Sequence, residues 1–150
     1  ADACRELGIA TVAVTAGYQK PAARAEFYRH MDAANVDLKA FTEAFYYRLA
    51  SAHLDQVLET LLYLRHETKT WFEITTLLVP GENDSEEKMH EMSAWIHGLE
   101  AANGKNIPLH ISRFFPRFKM TDRDATDVRK VYRLAEVARE ELEIVYTGNC

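Results

Sequence analysis

Two charged residues, Asp37 and Lys39, stand two positions apart in the segment ANVDLK (residues 34–39), whose apolar and polar residues alternate as in a β-strand. Side chains at that spacing point to the same side of a strand. Because opposite charges keep each other ionised, the pair suits the ammonium and carboxylate ends of an amino-acid-like ligand. Two alternatives stay open. One is a structural ion pair, and the other is a Schiff-base nucleophile at Lys39, which the nearby carboxylate disfavours.

Other candidates lie on two further strand patterns. His110 and Ser112 share one side of PLHISRF (residues 108–114), where the histidine could contact a ligand or be a hydrogen-bonded core residue. Glu73 occupies the equivalent side of WFEITTLLV (residues 71–79). Burying this carboxylate alone would cost several kcal/mol, so we expect it to have a polar partner.

A cationic and aromatic segment follows the strand that carries His110. It could cover an anionic or planar ligand, or it could be a solvated loop held by an apolar anchor. Its cations are Arg113, Arg117 and Lys119, and its aromatic residues are Phe114, Phe115 and Phe118.

Composition narrows the classes of function. The 150 residues carry a net charge of −5, which disfavours nucleic acid as a partner. No apolar stretch approaches the roughly 20 residues of a membrane span, so we expect a soluble, cytoplasmic chain without a membrane partner. Cys4 and Cys150 form neither a disulfide framework nor a metal motif, and we therefore assign no metal ligand within this chain.

Strand and helix patterns alternate along the chain, which predicts an α/β fold with parallel strands. The helix at residues 1–7 ends at Gly8, and Asn103-Gly104 ends the one that runs to about Ala102. The predicted strands are residues 9–15, 34–39, 71–79, 108–114 and 143–147, and the other predicted helices are residues 22–31, 42–49, 52–66 and 126–140.

Polar residues occupy one side of several predicted strands. Strands covered by helices on both sides should be apolar on both faces, and these are not. A partial (β/α) barrel whose inner face holds a polar ligand resolves the conflict. Because residue 1 is alanine inside a helix pattern and the chain stops just after a strand, we predict one segment, residues 1–150, of a larger protein.

Five stretches together resemble a known family: VAVTAGY, NVDLKAFTEAFY, WFEITTLLVPGENDS, PLHISRFFPRFKM and VYTGN. In order, and nearly end to end, they are similar to the later part of the radical S-adenosylmethionine (SAM) enzyme of the AmmeMemoRadiSam system, which is related to pyruvate formate-lyase activating enzyme. The resemblance implies a radical-SAM partial barrel whose N-terminal strands are missing from this chain. It also implies that SAM is cleaved reductively at a 4Fe-4S cluster to release a 5′-deoxyadenosyl radical.

The resemblance places five residues around SAM. Thr15 falls in the family's threonine-asparagine-glycine turn, Asp37 and Lys39 on its aspartate-leucine-lysine strand, and His110 on its last-strand histidine. Thr75 or Glu73 takes the place of a family arginine, and the alignment leaves open which of the two faces the cofactor. The residues implied to bind the cofactor are therefore Thr15, Asp37, Lys39, Thr75 and His110.

The chain also departs from the family. Val14 and Ala16 replace the aspartate and the asparagine of the turn that contains Thr15. The CxxxCxxC loop that supplies three cluster thiolates is missing from this sequence, so the cluster ligands are expected outside the chain and the chain alone is expected to be inactive.

The resemblance further implies an electron donor and an unidentified substrate, which could be a protein. Two other functions stay open for the chain. One is an aldolase-type barrel that forms an imine at Lys39. The other is a non-catalytic half-barrel that serves as a binding module.

Overall fold

The computed structural model, which describes residues 1–101 and 104–150, contains a five-stranded parallel sheet with the strands in chain order. The strands are β1 (Val12–Thr15), β2 (Ala33–Asp37), β3 (Trp71–Leu78), β4 (Leu109–Arg113) and β5 (Val145–Gly148). The predicted α/β fold with parallel strands is therefore confirmed. Each strand lies next to the strand that precedes it in the chain, always on the same side. This is the strand order of a (β/α) barrel wall.

One helix precedes the first strand, and the other helices lie between successive strands. They are α1 (Asp2–Glu6), α2 (Pro21–Tyr28), α3 (Glu43–Phe45), α4 (Leu54–Glu67), α5 (Glu86–Ala101) and α6 (Val128–Arg139), and a π-helical turn, Tyr46–Ala50, follows α3. The predicted end of α5 at Ala102 and Asn103 lies outside the described residues.

Local sequence explains several helix boundaries. Pro21 opens α2, where its missing N–H costs nothing. The Thr42 Oγ1 accepts from the Phe45 N–H at 3.4 Å and caps α3, as the sequence predicts. The first helical residue of α6 is Val128, because Asp127 rather than Thr126 caps that helix.

The helices bury one face of the sheet. Alternate strand residues, such as Val36, Ile74 and Ile111, are fully buried there, whereas the residues between them are only half-buried. We call the second face the open face. The core therefore lies between sheet and helices, and the polar strand residues do not have to be desolvated completely.

The turn after β1 brings its backbone against α4. Gly17 has a φ of +66°, and a Cβ added there would lie 2.8 Å from Val36 Cγ1. The Thr60 hydroxyl donates to the Gly17 carbonyl at 2.6 Å. Glycine is required here both by the left-handed backbone conformation and by the lack of space for a side chain.

We expect Gly17→Ala to lower the free energy of unfolding by about 2–4 kcal/mol, because left-handed strain and overpacking add. Gly81→Ala is the matched control. Its φ is +77° but nothing lies within 4 Å of an added Cβ, so strain alone should cost about 1 kcal/mol. Urea unfolding of the two variants measures the difference, and equal losses would contradict the packing argument.

Candidate functional site

Polar side chains form a row across the open face. Asp37 on β2 is in register with Thr75 on β3, which pairs with His110 on β4, which pairs with Tyr146 on β5. Residues in register on adjacent strands share a face, and adjacent strands lie about 4.8 Å apart. The four residues therefore lie side by side on the open face. Three of the predicted residues, Asp37, Thr75 and His110, are thus brought together.

Lys39 lies just beyond the end of β2 and joins this row. Its Nζ lies 2.9 Å from Asp37 Oδ1, with side-chain exposures of 36% and 26%. The ion pair predicted from the sequence therefore exists and remains partly accessible to solvent. Such an accessible pair is worth about 0–1 kcal/mol, so a ligand can displace it at little cost.

A second row on the open face lies two residues nearer the start of each strand and contains Asn35 and Glu73. The Asn35 Nδ2 donates to Glu73 Oε2 at 3.2 Å, while the Thr75 hydroxyl donates to Asn35 Oδ1 at 2.7 Å. Glu73 Oε2 also lies 2.8 Å from His110 Nε2, but the angle of this contact is not that of a hydrogen bond. Glu73 thus has the polar partner expected of it, the Asn35 amide, with the imidazole of His110 beside it.

His110 has an aromatic neighbour on β5. Its ring centroid lies 5.2 Å from that of Tyr146, and the rings are tilted by 33°. With Glu73 on one side and Tyr146 on the other, the orientation of the imidazole is constrained. The sequence analysis missed Tyr146, although the alternation in EIVYT could have placed it on the open face.

Thr15 is not brought into the cluster. It is in register with Val36, a buried residue on the helix side, so its side chain lies on the covered face. The Thr15 hydroxyl instead accepts from the Gly17 N–H at 3.1 Å. The open face of β1 presents Val12 and Val14, the latter 81% exposed, and the role of Thr15 at the cofactor remains a prediction.

A cavity of about 350 Å³ opens beside Asp37 and Lys39. The Tyr46 hydroxyl, on the π-helical turn, accepts from the Lys39 N–H at 3.0 Å and anchors this end of β2. Burial raises the pKa of Tyr46 to about 12, so the hydroxyl stays neutral at physiological pH. The remaining lining residues are mostly apolar and comprise Ala16, Tyr18, Ala50, Ser51, Ala52 and Val57.

Asn83, in the turn after β3, fixes the ends of two strands. Its Nδ2 donates to the Lys39 carbonyl at 2.6 Å and to the Leu77 carbonyl at 2.8 Å. Its Oδ1 accepts from the Val79 N–H at 2.7 Å. The VPGEND stretch belongs to the resemblance described above, but the sequence analysis assigns no role to Asn83. The structure shows that it positions the backbone of Lys39.

Thr126 fixes the carboxyl ends of β3 and β4 relative to each other. Its hydroxyl donates to the Leu78 carbonyl at 2.6 Å and accepts from the Phe114 N–H at 3.3 Å. Buried polar side chains thus replace the sheet's hydrogen bonds where the ladder ends, and they hold the strand ends at fixed separations.

Metal-ligating chemistry is not found in the described part of the chain. Within residues 1–101 and 104–150, no group of three or more histidine, cysteine, aspartate or glutamate side chains could hold a metal ion. The row of Asp37, Thr75, His110 and Tyr146 presents a carboxylate, a hydroxyl, an imidazole and a phenol, which are groups that can hydrogen-bond to an organic ligand. No helix in these residues is long and apolar enough to cross a membrane.

Comparison with solved structures identifies the same fold elsewhere. A domain of pyruvate-formate lyase-activating enzyme from Bacteroides vulgatus ATCC 8482 matches with a TM-score of 0.80 at 14% identity, over 98% of this chain and 86% of that one. A radical SAM methyltransferase from Sphaerobacter thermophilus matches at 0.70 and 13% identity, over 94% and 41%. SuiB of Streptococcus suis matches at 0.72 and 17% identity, over 99% and 35%. These likenesses establish the fold.

Comparison of sequences finds an uncharacterized protein of Methanocaldococcus jannaschii that is 36% identical over 147 residues. The match covers 97% of this chain, and the chain spans 42% of that relative's length. No protein-family profile matches the chain.

We expect Asn83→Ala to lower the free energy of unfolding by about 3 kcal/mol, because it leaves buried backbone groups without partners. Asn106→Ala is the control. Asn106 is exposed and donates to Glu143, so its removal should cost less than about 0.5 kcal/mol. Urea unfolding measures both, and an Asn83→Ala variant as stable as Asn106→Ala would refute the anchoring role.

The raised pKa of Tyr46 predicts that the folded chain loses stability at alkaline pH. The unfolded chain loses a tyrosine proton near pH 10, whereas folded Tyr46 keeps it to about 12, so its contribution is complete below pH 10 and is lost as the pH rises through 12. Between pH 9 and pH 12 the wild type should lose about 2 kcal/mol more than Tyr46→Phe. Parallel losses in urea unfolding across that range would contradict this.

Proposed function

We propose that the chain forms part of the SAM-binding wall of a radical SAM enzyme. The observation that carries the proposal is the row of Asp37, Thr75 and His110, with Lys39, along the open face of a sheet whose fold is shared with a radical SAM methyltransferase and an activating-enzyme domain. When bound at a reduced 4Fe-4S cluster, SAM supplies a 5′-deoxyadenosyl radical.

The side chains present suit the charged end of SAM. Asp37 offers a carboxylate for the α-ammonium, and Lys39 offers an ammonium for the α-carboxylate. A zwitterion placed between them replaces one partly exposed ion pair by two charge-assisted contacts. That exchange favours binding because the pair itself contributes little to folding.

The β4 and β5 side of the row suits the nucleoside end. His110 presents an imidazole with a constrained ring, and Tyr146 adds an aromatic face beside it. The Glu73 carboxylate lies at the ring edge without a hydrogen bond to it, so His110 Nε2 keeps its hydrogen-bonding capacity for a ligand, while the Thr75 hydroxyl is held by Asn35. We assign Thr15 to the Asp37 end of the site through the backbone of its turn, because its side chain lies on the covered face and its neighbour Ala16 lines the cavity beside Asp37 and Lys39.

The cluster does not fit the described residues of this chain. Cys4 and Cys150 are single free cysteines, and no group of metal ligands is found in residues 1–101 and 104–150. We therefore propose that the cluster thiolates come from polypeptide outside these 150 residues, and that an electron donor and a substrate, which could be a protein, act on the complete enzyme. We place that enzyme in the cytoplasm and in the AmmeMemoRadiSam group of the superfamily.

The geometry argues against the imine-forming alternative. An imine-forming lysine must present its nitrogen to a carbonyl carbon, whereas Lys39 Nζ lies 2.9 Å from the Asp37 carboxylate and is engaged in that contact. Borohydride trapping of a carbonyl compound on Lys39 would revive that alternative.

Binding of SAM to the 150-residue chain tests the proposal without the cluster. Isothermal titration calorimetry should show binding that weakens about tenfold or more in Asp37→Asn and in Lys39→Met, because each leaves one ligand charge unpaired. Asp55→Asn and Lys69→Met are the controls, since both residues are exposed and neither lines the cavity beside Asp37 and Lys39. Free methionine should compete, and competition should be lost in the same two variants.

Two outcomes would overturn the proposal. One is SAM binding that Asp55→Asn weakens as much as Asp37→Asn, and the other is no detectable binding by a chain that is folded by circular dichroism. Reductive cleavage of SAM is then tested on a longer protein that includes this region and has been reconstituted anaerobically with iron and sulfide.

A further inference from the structure

The segment after β4 leaves the sheet and returns to the same place. The Thr126 N–H donates to the Phe114 carbonyl at 3.1 Å, and Arg113 Nε donates to the Thr126 carbonyl at 2.7 Å. The ends of the excursion are therefore closed on each other, which makes residues 114–126 an Ω-loop.

A second set of contacts holds the far side of this loop. Arg123 Nη1 donates to the Pro80 carbonyl at 3.2 Å and lies 2.9 Å from Glu82 Oε1, and Glu82 also pairs with Arg48. Met120 packs against the core and bridges to Arg117. The loop is thus fixed at both ends, and its tip, residues 115–119, projects from a rigid base.

The tip exposes an aromatic ring at a conformational cost. Phe118 is 88% exposed, so it gains almost nothing from burial in this chain. Its φ is +54°, a left-handed conformation that is unfavourable for a residue with a Cβ. Strain that is maintained for a side chain almost fully exposed to solvent points to a role outside the fold. Phe115, 43% exposed, lies beside it in sequence.

The charge around the tip is positive although the chain carries −5 overall. Residues 113–121 contain Arg113, Arg117 and Lys119 and no acidic residue. Arg113 stacks over the Phe115 ring at 4.7 Å, and Lys119 Nζ lies 5.5 Å from the Phe118 ring centroid. Exposed aromatic rings and arginine are enriched at protein–protein interfaces, and the lysine adds positive charge beside them.

We propose that this tip docks an acidic segment of a partner protein, with an apolar side chain of the partner against Phe118 and its carboxylates at Arg117 and Lys119. The patch is small and the rest of the molecule is acidic, which repels the extended negative charge of nucleic acid or of an anionic membrane. A short acidic peptide segment avoids that repulsion. The tip follows the carboxyl end of β4, so a docked partner lies at the same edge of the sheet as Lys39.

The inference goes beyond the proposed function and is tested separately from it. The probe is a short fluorescein-labelled peptide of alternating glutamate and leucine, with a glutamine-for-glutamate peptide as its neutral counterpart. We expect the acidic peptide to bind the chain in fluorescence anisotropy and to shift the backbone amide signals of residues 115–119 in nuclear magnetic resonance spectra. The neutral peptide should bind about tenfold more weakly.

Matched variants locate the site. Phe118→Gly should weaken binding about tenfold or more, as hot-spot truncation does, and Lys119→Glu should weaken it comparably. Lys69→Glu makes the same charge change at an exposed site before β3 and should leave binding unchanged. Phe118→Gly should also raise the Tm by a few degrees, because it relieves the left-handed strain without loss of packing.

Each contrary result counts against the proposal. Amide shifts outside the loop, equal weakening by Lys69→Glu and Lys119→Glu, or stronger binding to phosphatidylserine vesicles or single-stranded DNA than to the acidic peptide would overturn it. A Phe118→Gly variant with an unchanged Tm and unchanged affinity would do the same. Retained SAM binding in all these variants would show that the failure concerns the loop alone.

Discussion

The hydrogen bonds of Asn83 are the constraint on which the candidate site depends. A parallel sheet loses its backbone ladder at the carboxyl ends of its strands, and chemistry in such folds is placed at those ends. Asn83 replaces the missing ladder with three bonds, two of them to the carbonyls of Lys39 and Leu77. Because this side chain is buried, water does not compete for these bonds. Lys39 therefore extends from a backbone that is held in place.

The one-sided covering of the sheet has a second consequence. Helices remove the inner strand residues from water, while the open face keeps its carboxylates and its imidazole only half-buried. Full burial would require each charge to have an excellent partner, whereas partial exposure lets Asp37 and Lys39 pair with each other and still accept a ligand. The same residues could not serve as a ligand site inside a sheet covered on both sides.

Sequence periodicity was sufficient for the fold and for part of the site. The alternation in NVDLK and LHIS put Asp37, Lys39 and His110 on one face, because side-chain direction along a strand follows from position alone. Alternation alone does not place the side chain of Thr15, because it fixes which residues of a strand share a face but not which face the helices cover. The register with Val36 decides that question, and register is a tertiary property.

The contacts across strands were beyond sequence reasoning for another reason. Asn83 and Thr126 act on carbonyls of residues that are close to them in space but, in Lys39 and Leu78, 44 and 48 positions away along the chain. Polar residues in a turn usually bond to their own backbone or to water, so nothing in VPGEND or in DATD distinguishes them from ordinary turn residues. Their role becomes visible only with the partners in place.

Around the open face the backbone is held more firmly than the charged side chains, and this difference suits the ligand binding proposed there. Backbone positions at the strand ends are fixed by buried bonds, whereas the charged groups that would meet a ligand are held only by a partly exposed ion pair. A ligand then replaces a weak contact without disturbing strong ones, so little folding energy opposes binding. The tip of the Ω-loop follows the same arrangement, since Thr126 and Arg123 fix its base while Phe118 is exposed to solvent. Exposed groups on fixed supports are pre-organised for recognition, and the strain at Phe118 is tolerated because the base of the loop is stable enough to hold it.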